Sequence, residues 1–285
     1  MAQSNLTDYE VFEELCTKFP VAIGKYTFLL HNIGPKEISC PIIFFPPTTC
    51  SPTIYYKVQL FLAKEGYRTI SVDYPATYST DEFCDVFLKL LDEMHLTAVH
   101  LVGSSLGGFL AQKVYEVSAK TSARVKSLIL CNSFVDGSAF DGHLSARLLW
   151  LLPAAALRMT IDYPPIPADA DDAIKMSVKV AKEQMDKMSQ SQLASRLTMA
   201  FTPGNIDFEE LQNADITIVE VGDVDSTYKR HYESVHQAYP GAKVASIDSG
   251  GYFPFFSRPD EFVAYMRMHF EAYLDTPYFP AIQDD

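Results

Sequence analysis

The sharpest chemical signal in this 285-residue chain is the pentapeptide Gly103-Ser104-Ser105-Leu106-Gly107. Glycines two positions to either side of a serine permit a tight, strained turn that lifts the hydroxyl clear of the backbone between a strand and a helix. Both flanks fit: Ala98 to Val102 (AVHLV) is a short apolar run leading in, and Gly108 followed by FLAQKVYEV has a helical pattern leading out. Ser105 is therefore the candidate nucleophile for acyl transfer, and the backbone N–H of Leu106 the first candidate donor to a developing oxyanion.

Such a serine needs a sheet to stand on. Pro41 to Phe45, Arg68 to Val72, Ala98 to Val102, Val125 to Cys131, Ile216 to Val221 and Ala242 to Ile247 are short continuous apolar runs, as buried parallel strands require. Between the second and third, Phe83, Val86, Phe87, Leu90, Leu91 and Met94 form one stripe of an amphipathic helix that opens with Ser79 and Glu82 in capping-box spacing. A last helix is predicted from near Ser257, with Pro259 in its first turn and Phe262, Tyr265, Met266 and His269 on one face. This alternation specifies the α/β class, a mostly parallel sheet with helices on both faces. From about 136 to 213 no strand is predicted, so a helical cap is inserted between two strands of a single domain. Its stripe of Ile174, Val178, Ala181, Met185 and Met188 is expected to pack on the main body, with a ligand-contacting lid as the alternative. The acidic runs Asp169 to Asp172 and Asp207 to Glu210 read as solvated helix starts and not as a metal site.

Composition narrows the function further. The 23 Lys and Arg against 36 Asp and Glu give a net charge of −13, which disfavours nucleic acid and anionic lipid as partners. Five cysteines (Cys16, Cys40, Cys50, Cys84, Cys131) without C-x-x-C spacing argue against a disulfide framework or a zinc site and for a reducing compartment. No signal-like segment opens the chain, and its most apolar run, Leu148 to Ile161, is too short to span a bilayer and contains Pro153 and Arg158. A cytoplasmic protein without cofactor or metal is expected.

The stretches CPIIFFPP (Cys40 to Pro47), GYRTISVDYP (Gly66 to Pro75), HLVGSSLGGFLAQK (His100 to Lys113), SLILCNSF (Ser127 to Phe134) and SQLASRLT (Ser191 to Thr198) closely resemble the maspardin, or acid cluster protein, family of the α/β-hydrolase fold. The resemblance implies where the partners of Ser105 should lie. The acid is expected after the strand that follows the insertion, where ITIVEVGDVDS offers Asp225, with Asp223 as the adjacent alternative. The base of catalytic members is a His after the final strand, and here Gly250-Gly251-Tyr252-Phe253-Pro254 puts Tyr252 in its place. A Tyr pKa of about 10 against about 6.5 for His makes it a poor substitute near neutrality.

None of His31, His95, His100, His143, His231, His236 and His269 lies in that loop. His100 falls within a strand, His231 and His236 read as surface positions of a helix, and His143 is the one with a route to the crevice from above. Pro46 and Pro47 lack N–H groups, so Thr48 becomes the second oxyanion donor. The resemblance implies a non-catalytic adaptor or regulatory protein. It would be recruited from the cytoplasm to endosomal and trans-Golgi membranes and bind the cytoplasmic tail of a membrane receptor. The competing expectation is an esterase- or thioesterase-like serine hydrolase using Ser105, Asp225 and an unrecognised base. A receptor for a small molecule under the cap is a third. The sequence names neither partner nor oligomeric state.

Overall fold

Strands form where the apolar runs predict them, and the computed structural model describes residues 7–136, 146–161, 166, 170–202 and 204–283. An eight-stranded sheet comprises β1 (Thr17–Ile23), β2 (Tyr26–Ile33), β3 (Ile42–Phe45), β4 (Thr69–Asp73), β5 (Val99–Ser104), β6 (Val125–Cys131), β7 (Asp215–Val221) and β8 (Lys243–Ile247). Their spatial order is β1-β2-β4-β3-β5-β6-β7-β8, parallel from β4 onward and antiparallel through β1 and β2. The β1–β2 hairpin was not foreseen. Its two-residue turn, Gly24 and Lys25, has Gly24 at φ +59°, and Pro20 sits in β1 because that strand is an edge.

The helices are α1 (Asp8–Leu15), α2 (Tyr56–Lys64), α3 (Thr80–Glu93), α4 (Leu106–Thr121), α5 (Ala146–Leu149), α6 (Ala154–Met159), α7 (Asp172–Lys187), α8 (Gln190–Phe201), α9 (Phe208–Leu211), α10 (Ser226–Ala238), α11 (Pro254–Ser257) and α12 (Pro259–Phe270). Alternate strand residues feed two cores: Ile43, Phe45, Leu101, Leu128 and Leu130 meet α3 and α4, while Ile42, Phe44, Val102, Ile129 and Cys131 meet α2 and α12. Both faces are therefore covered, as an all-apolar strand demands. Ser79 caps α3 by accepting from the Glu82 N–H at 3.1 Å, as its spacing predicts, although the Glu82 carboxylate takes the Tyr78 N–H instead of returning to Ser79. The five cysteines are free and buried.

Between β6 and β7 the described residues are helical or irregular and carry α5 to α9. The α7 stripe divides between two environments. Val178 and Ala181 join the body core beside Ile247 and Phe255, while Met185 and Met188 close a satellite core with Leu157, Leu193 and Leu197. Polar bonds also tie this segment to the body: Gln184 accepts from the Ser51 N–H at 2.8 Å, and Ser195 Oγ exchanges hydrogen bonds with the Thr77 backbone at 2.9 and 2.7 Å. Among the described residues no helix is long and apolar enough to cross a membrane.

Candidate functional site

The turn between β5 and α4 has the strain its glycines predict. Ser105 is held at φ +51°, ψ −121°, and its N–H donates to the Cys131 carbonyl at 3.1 Å. Each glycine is there because a side chain would collide: Gly103 with the Gly107 backbone, Gly107 with the Phe45 and Pro46 carbonyls, and Gly108 with Ser133. These close approaches seat α4 against the sheet and leave the Leu106 N–H, in the first turn of a 16-residue helix, without an intrahelical acceptor. Ser105 is half-buried, and its hydroxyl forms no hydrogen bond among the described residues.

The loops after β7 and β8 separate the two acid candidates. Asp223 accepts from the N–H groups of Gly250 and Gly251 and from Ser249 Oγ at 2.8 to 3.2 Å, which pins the two loops together. Asp225 caps α10, its Oδ1 accepting from the Thr227 N–H at 2.7 Å and the Tyr228 N–H at 3.3 Å. Its other oxygen accepts from the Tyr252 hydroxyl at 3.2 Å. Tyr252 is thus bonded to the carboxylate that follows β7, its ring lies 5.0 Å from that of Tyr228, and its carbonyl is held by Asn132 Nδ2 at 3.2 Å. Burial, then the Asp225 charge, pushes the Tyr252 phenol well above its ordinary pKa.

No histidine hydrogen-bonds Ser105 among the described residues, and His143 lies outside them. His100 is in β5, as expected, with Nδ1 on Ser127 Oγ at 2.6 Å and Nε2 on the Tyr278 carbonyl at 2.7 Å. His269 meets Thr217 Oγ1 at 2.7 Å. The surface expectation holds for His236, which faces Glu220 at 2.6 Å, but not for His231, which is buried with its ring 5.8 Å from Phe134. The cause is the Phe134 and Tyr228 rings beside it, which put that side of α10 against the body.

The loop after β3 has a partner that sequence reasoning missed. Arg196 of α8 is 1% exposed and stands over the Tyr74 ring at 4.4 Å; its Nη2 meets Asp73 at 2.8 Å and its Nη1 gathers the carbonyls of Pro47, Thr48 and Cys50. Burial raises the Asp73 pKa, with Arg196 opposing. The available signal was a charge on the apolar stripe of Leu193, Leu197 and Ala200.

Among the described residues no group of three metal-ligating side chains is assembled. In the acidic runs, Asp171 caps α7 and faces Arg258, while Asp207 caps α9 and faces Lys120; Asp169 lies outside the described residues.

Comparison with known proteins supports the fold. The alpha/beta hydrolase family model matches residues 42–265. Maspardin of Danio rerio is 39% identical over 253 residues, covering 87% of this chain and 80% of the relative. Maspardin of Homo sapiens is 38% identical over the same length and shares. Among solved structures, a thermophilic esterase from Thermogutta terrifontis has a TM-score of 0.70 at 15% identity, covering 90% of this chain and 98% of that one. A carboxylesterase from Nitrososphaera gargenis has a TM-score of 0.69 at 16% identity, with the same coverage. At these identities the two structures share the fold.

Proposed function

This chain belongs to the maspardin family of α/β-hydrolase-fold proteins, and from that premise we propose that it is a non-catalytic adaptor that binds through its crevice or surface instead of cleaving. The observation that carries this reading is the hydroxyl of Tyr252, in place of an imidazole, opposite Asp225. Tyr and His differ by about 3.5 pKa units, or about 4.8 kcal/mol of proton affinity, and burial beside a carboxylate widens that gap. A phenol that donates to Asp225 holds its proton and does not relay one from Ser105. In this reading Ser105 is a vestigial nucleophile, Asp225 the former acid, and the N–H groups of Leu106 and Thr48 a retained oxyanion pocket. By family kinship the partner is the cytoplasmic tail of a membrane receptor, met at endosomal or trans-Golgi membranes by a protein otherwise in the cytoplasm.

A serine hydrolase with another base is the second reading, favoured by the preserved strain at Ser105. Residual acceleration of roughly a thousandfold can survive loss of one triad member, so slow turnover does not separate the two. Labelling with a fluorophosphonate probe does. The adaptor reading expects no prompt labelling of the wild type and labelling of Tyr252→His; prompt stoichiometric labelling of the wild type, lost in Ser105→Ala, overturns it.

A further inference from the structure

Arg196 concentrates its contacts on one short loop. Its Nη1 lies 3.4 Å from the Pro47 carbonyl, 3.3 Å from that of Thr48 and 2.5 Å from that of Cys50, while Tyr74 Oη donates to the Pro46 carbonyl at 2.5 Å. In a planar trans peptide the C=O of one residue and the N–H of the next point in opposite directions. Each carbonyl drawn toward α8 therefore turns an N–H away from it: that of Thr48 through Pro47, and that of Thr49 through Thr48. On its other side the loop begins against the first turn of α4, where the Phe45 and Pro46 carbonyls leave no room for a side chain at Gly107, one residue beyond the Leu106 N–H. Since Pro46 and Pro47 carry no N–H, Thr48 is the first residue after β3 with a donor to offer. That N–H has no acceptor among the described residues.

We infer that Arg196 is a positioning residue of the crevice: from the inserted segment it fixes the loop after β3 so that the Thr48 N–H stands beside the Leu106 N–H as a donor pair for an oxygen of a bound carbonyl or carboxylate group. The inference rests on the reading above that the crevice is a retained binding pocket. It assigns α8 a part in building that pocket. Asp73 holds the guanidinium through the other terminal nitrogen.

The test is amide ¹⁵N relaxation and chemical shift on the full chain. In the wild type the heteronuclear NOE of Thr48 should equal that of α4 residues. In Arg196→Lys, whose single ammonium cannot span three carbonyls and a carboxylate, the Thr48 and Thr49 amides should shift and lose that rigidity while α4 keeps its own. In a Tyr252→His background, adding Arg196→Lys should slow fluorophosphonate labelling of Ser105 about a hundredfold. Asp73→Asn, which keeps an oxygen for Nη2 and leaves the three carbonyl contacts in place, should move Thr48 less than Arg196→Lys does. A mobile Thr48 in the wild type overturns the inference, as does a folded Arg196→Lys with Thr48 unmoved or an Asp73→Asn that moves it equally. Should Arg196→Lys fail to fold, the wild-type NOE and Asp73→Asn decide. Prompt labelling of the wild type would sink the adaptor reading and leave Arg196 in its role, whereas an unmoved Thr48 does the reverse.

Discussion

Two serines, one in β6 and one just beyond the end of its parallel neighbour β5, have opposite surroundings. Ser127, near the start of β6, is fully buried and bonded to His100 at 2.6 Å, with the imidazole closed in by the Tyr278 carbonyl and the rings of Phe270 and Tyr273 at 5.0 and 4.6 Å. Ser105, beyond the C-terminal end of β5, is strained and partly open, and has no imidazole bonded to it among the described residues. The pairing that hydrolysis needs is present in this protein, but at the foot of the sheet, where it cross-links strands and the C-terminal segment. A base also needs access and a pKa near 7, and burial holds His100 at about 4. The contrast separates a serine–histidine contact from a catalytic one: position at the C-terminal end of the sheet decides.

The largest expected effect tests the buried imidazoles, His100 among them, by pH. Burial lowers the pKa of His31, His100 and His269 from 6.5 to about 4, with Asp215 opposing at His100 and His269, Lys126 reinforcing at His100, and Lys243 and His100 reinforcing at His269. Because the unfolded chain takes up these protons first, stability is complete above about pH 6.5 and falls as pH drops toward 4, where the folded groups also protonate. Each imidazole adds a slope of up to about 1.4 kcal/mol per pH unit. Urea unfolding from pH 7 to 4.5 should show the decline, and His100→Ala should remove one proton from its slope. A flat profile would mean that these rings are hydrated.

Substitution sharpens the same contrast. His100→Ala deletes a fully buried ring and both its hydrogen bonds, at a cost of about 2 to 4 kcal/mol. Ser105→Ala removes a hydroxyl with no partner among the described residues and should change stability by less than about 0.5 kcal/mol. Denaturation midpoints of the two variants check both values.

How far the sequence displayed these regions follows from what each rests on. Of the six parallel strands, β3 to β7 were legible because burial on both faces makes them continuous apolar runs, whereas β8 is an edge with Lys243, Val244 and Ser246 exposed; the turn at Ser105 was legible because its glycines are forced by backbone contact at Gly103 and Gly107. The β1–β2 hairpin was not, since β1 is an edge strand whose exposed positions include Pro20 and Ala22, so the alternation in its burial is masked in the sequence by apolar residues on both faces. Tyr252 was placed by the family resemblance, and its bond to Asp225 joins the loops that follow β7 and β8. Arg196 is different in kind. Its partners at Pro47, Thr48, Cys50 and Asp73 are more than 120 residues away in the chain, a long-range pairing that helical periodicity does not encode. His231 was misjudged for the same reason, because Phe134, its neighbour in space, lies on the far side of the inserted segment.

Across the loops that follow β7 and β8, Asp225 and Tyr252 should prove unequal. Asp225→Ala removes the oxygen that accepts from two N–H groups at the start of α10 and should cost about 1 kcal/mol, whereas Tyr252→Asn leaves that cap intact, so any loss must arise from the ring and its hydroxyl. Tyr252→Phe isolates the hydroxyl: Asp225 keeps its backbone donors, and thermal melting should shift by less than in Asp225→Ala. A larger loss in Tyr252→Phe would make the phenol–carboxylate bond, and not the helix cap, the reason that both residues persist.

A last, small effect has the opposite sign. A non-glycine residue at φ +51°, ψ −121° stores of order 1 kcal/mol of backbone strain or more, and the Ser105 hydroxyl recovers none of it through a hydrogen bond among the described residues. Ser105→Gly adopts the same dihedrals freely but also loosens the unfolded chain, so the two contributions partly cancel and a net stabilisation of about 0.5 kcal/mol is expected. Thermal unfolding of Ser105→Gly beside Ser105→Ala reads the difference directly, because alanine keeps the strain and lacks the hydroxyl. If glycine is no more stable than alanine, the turn is relaxed in solution. Its strain then ceases to favour the hydrolase reading.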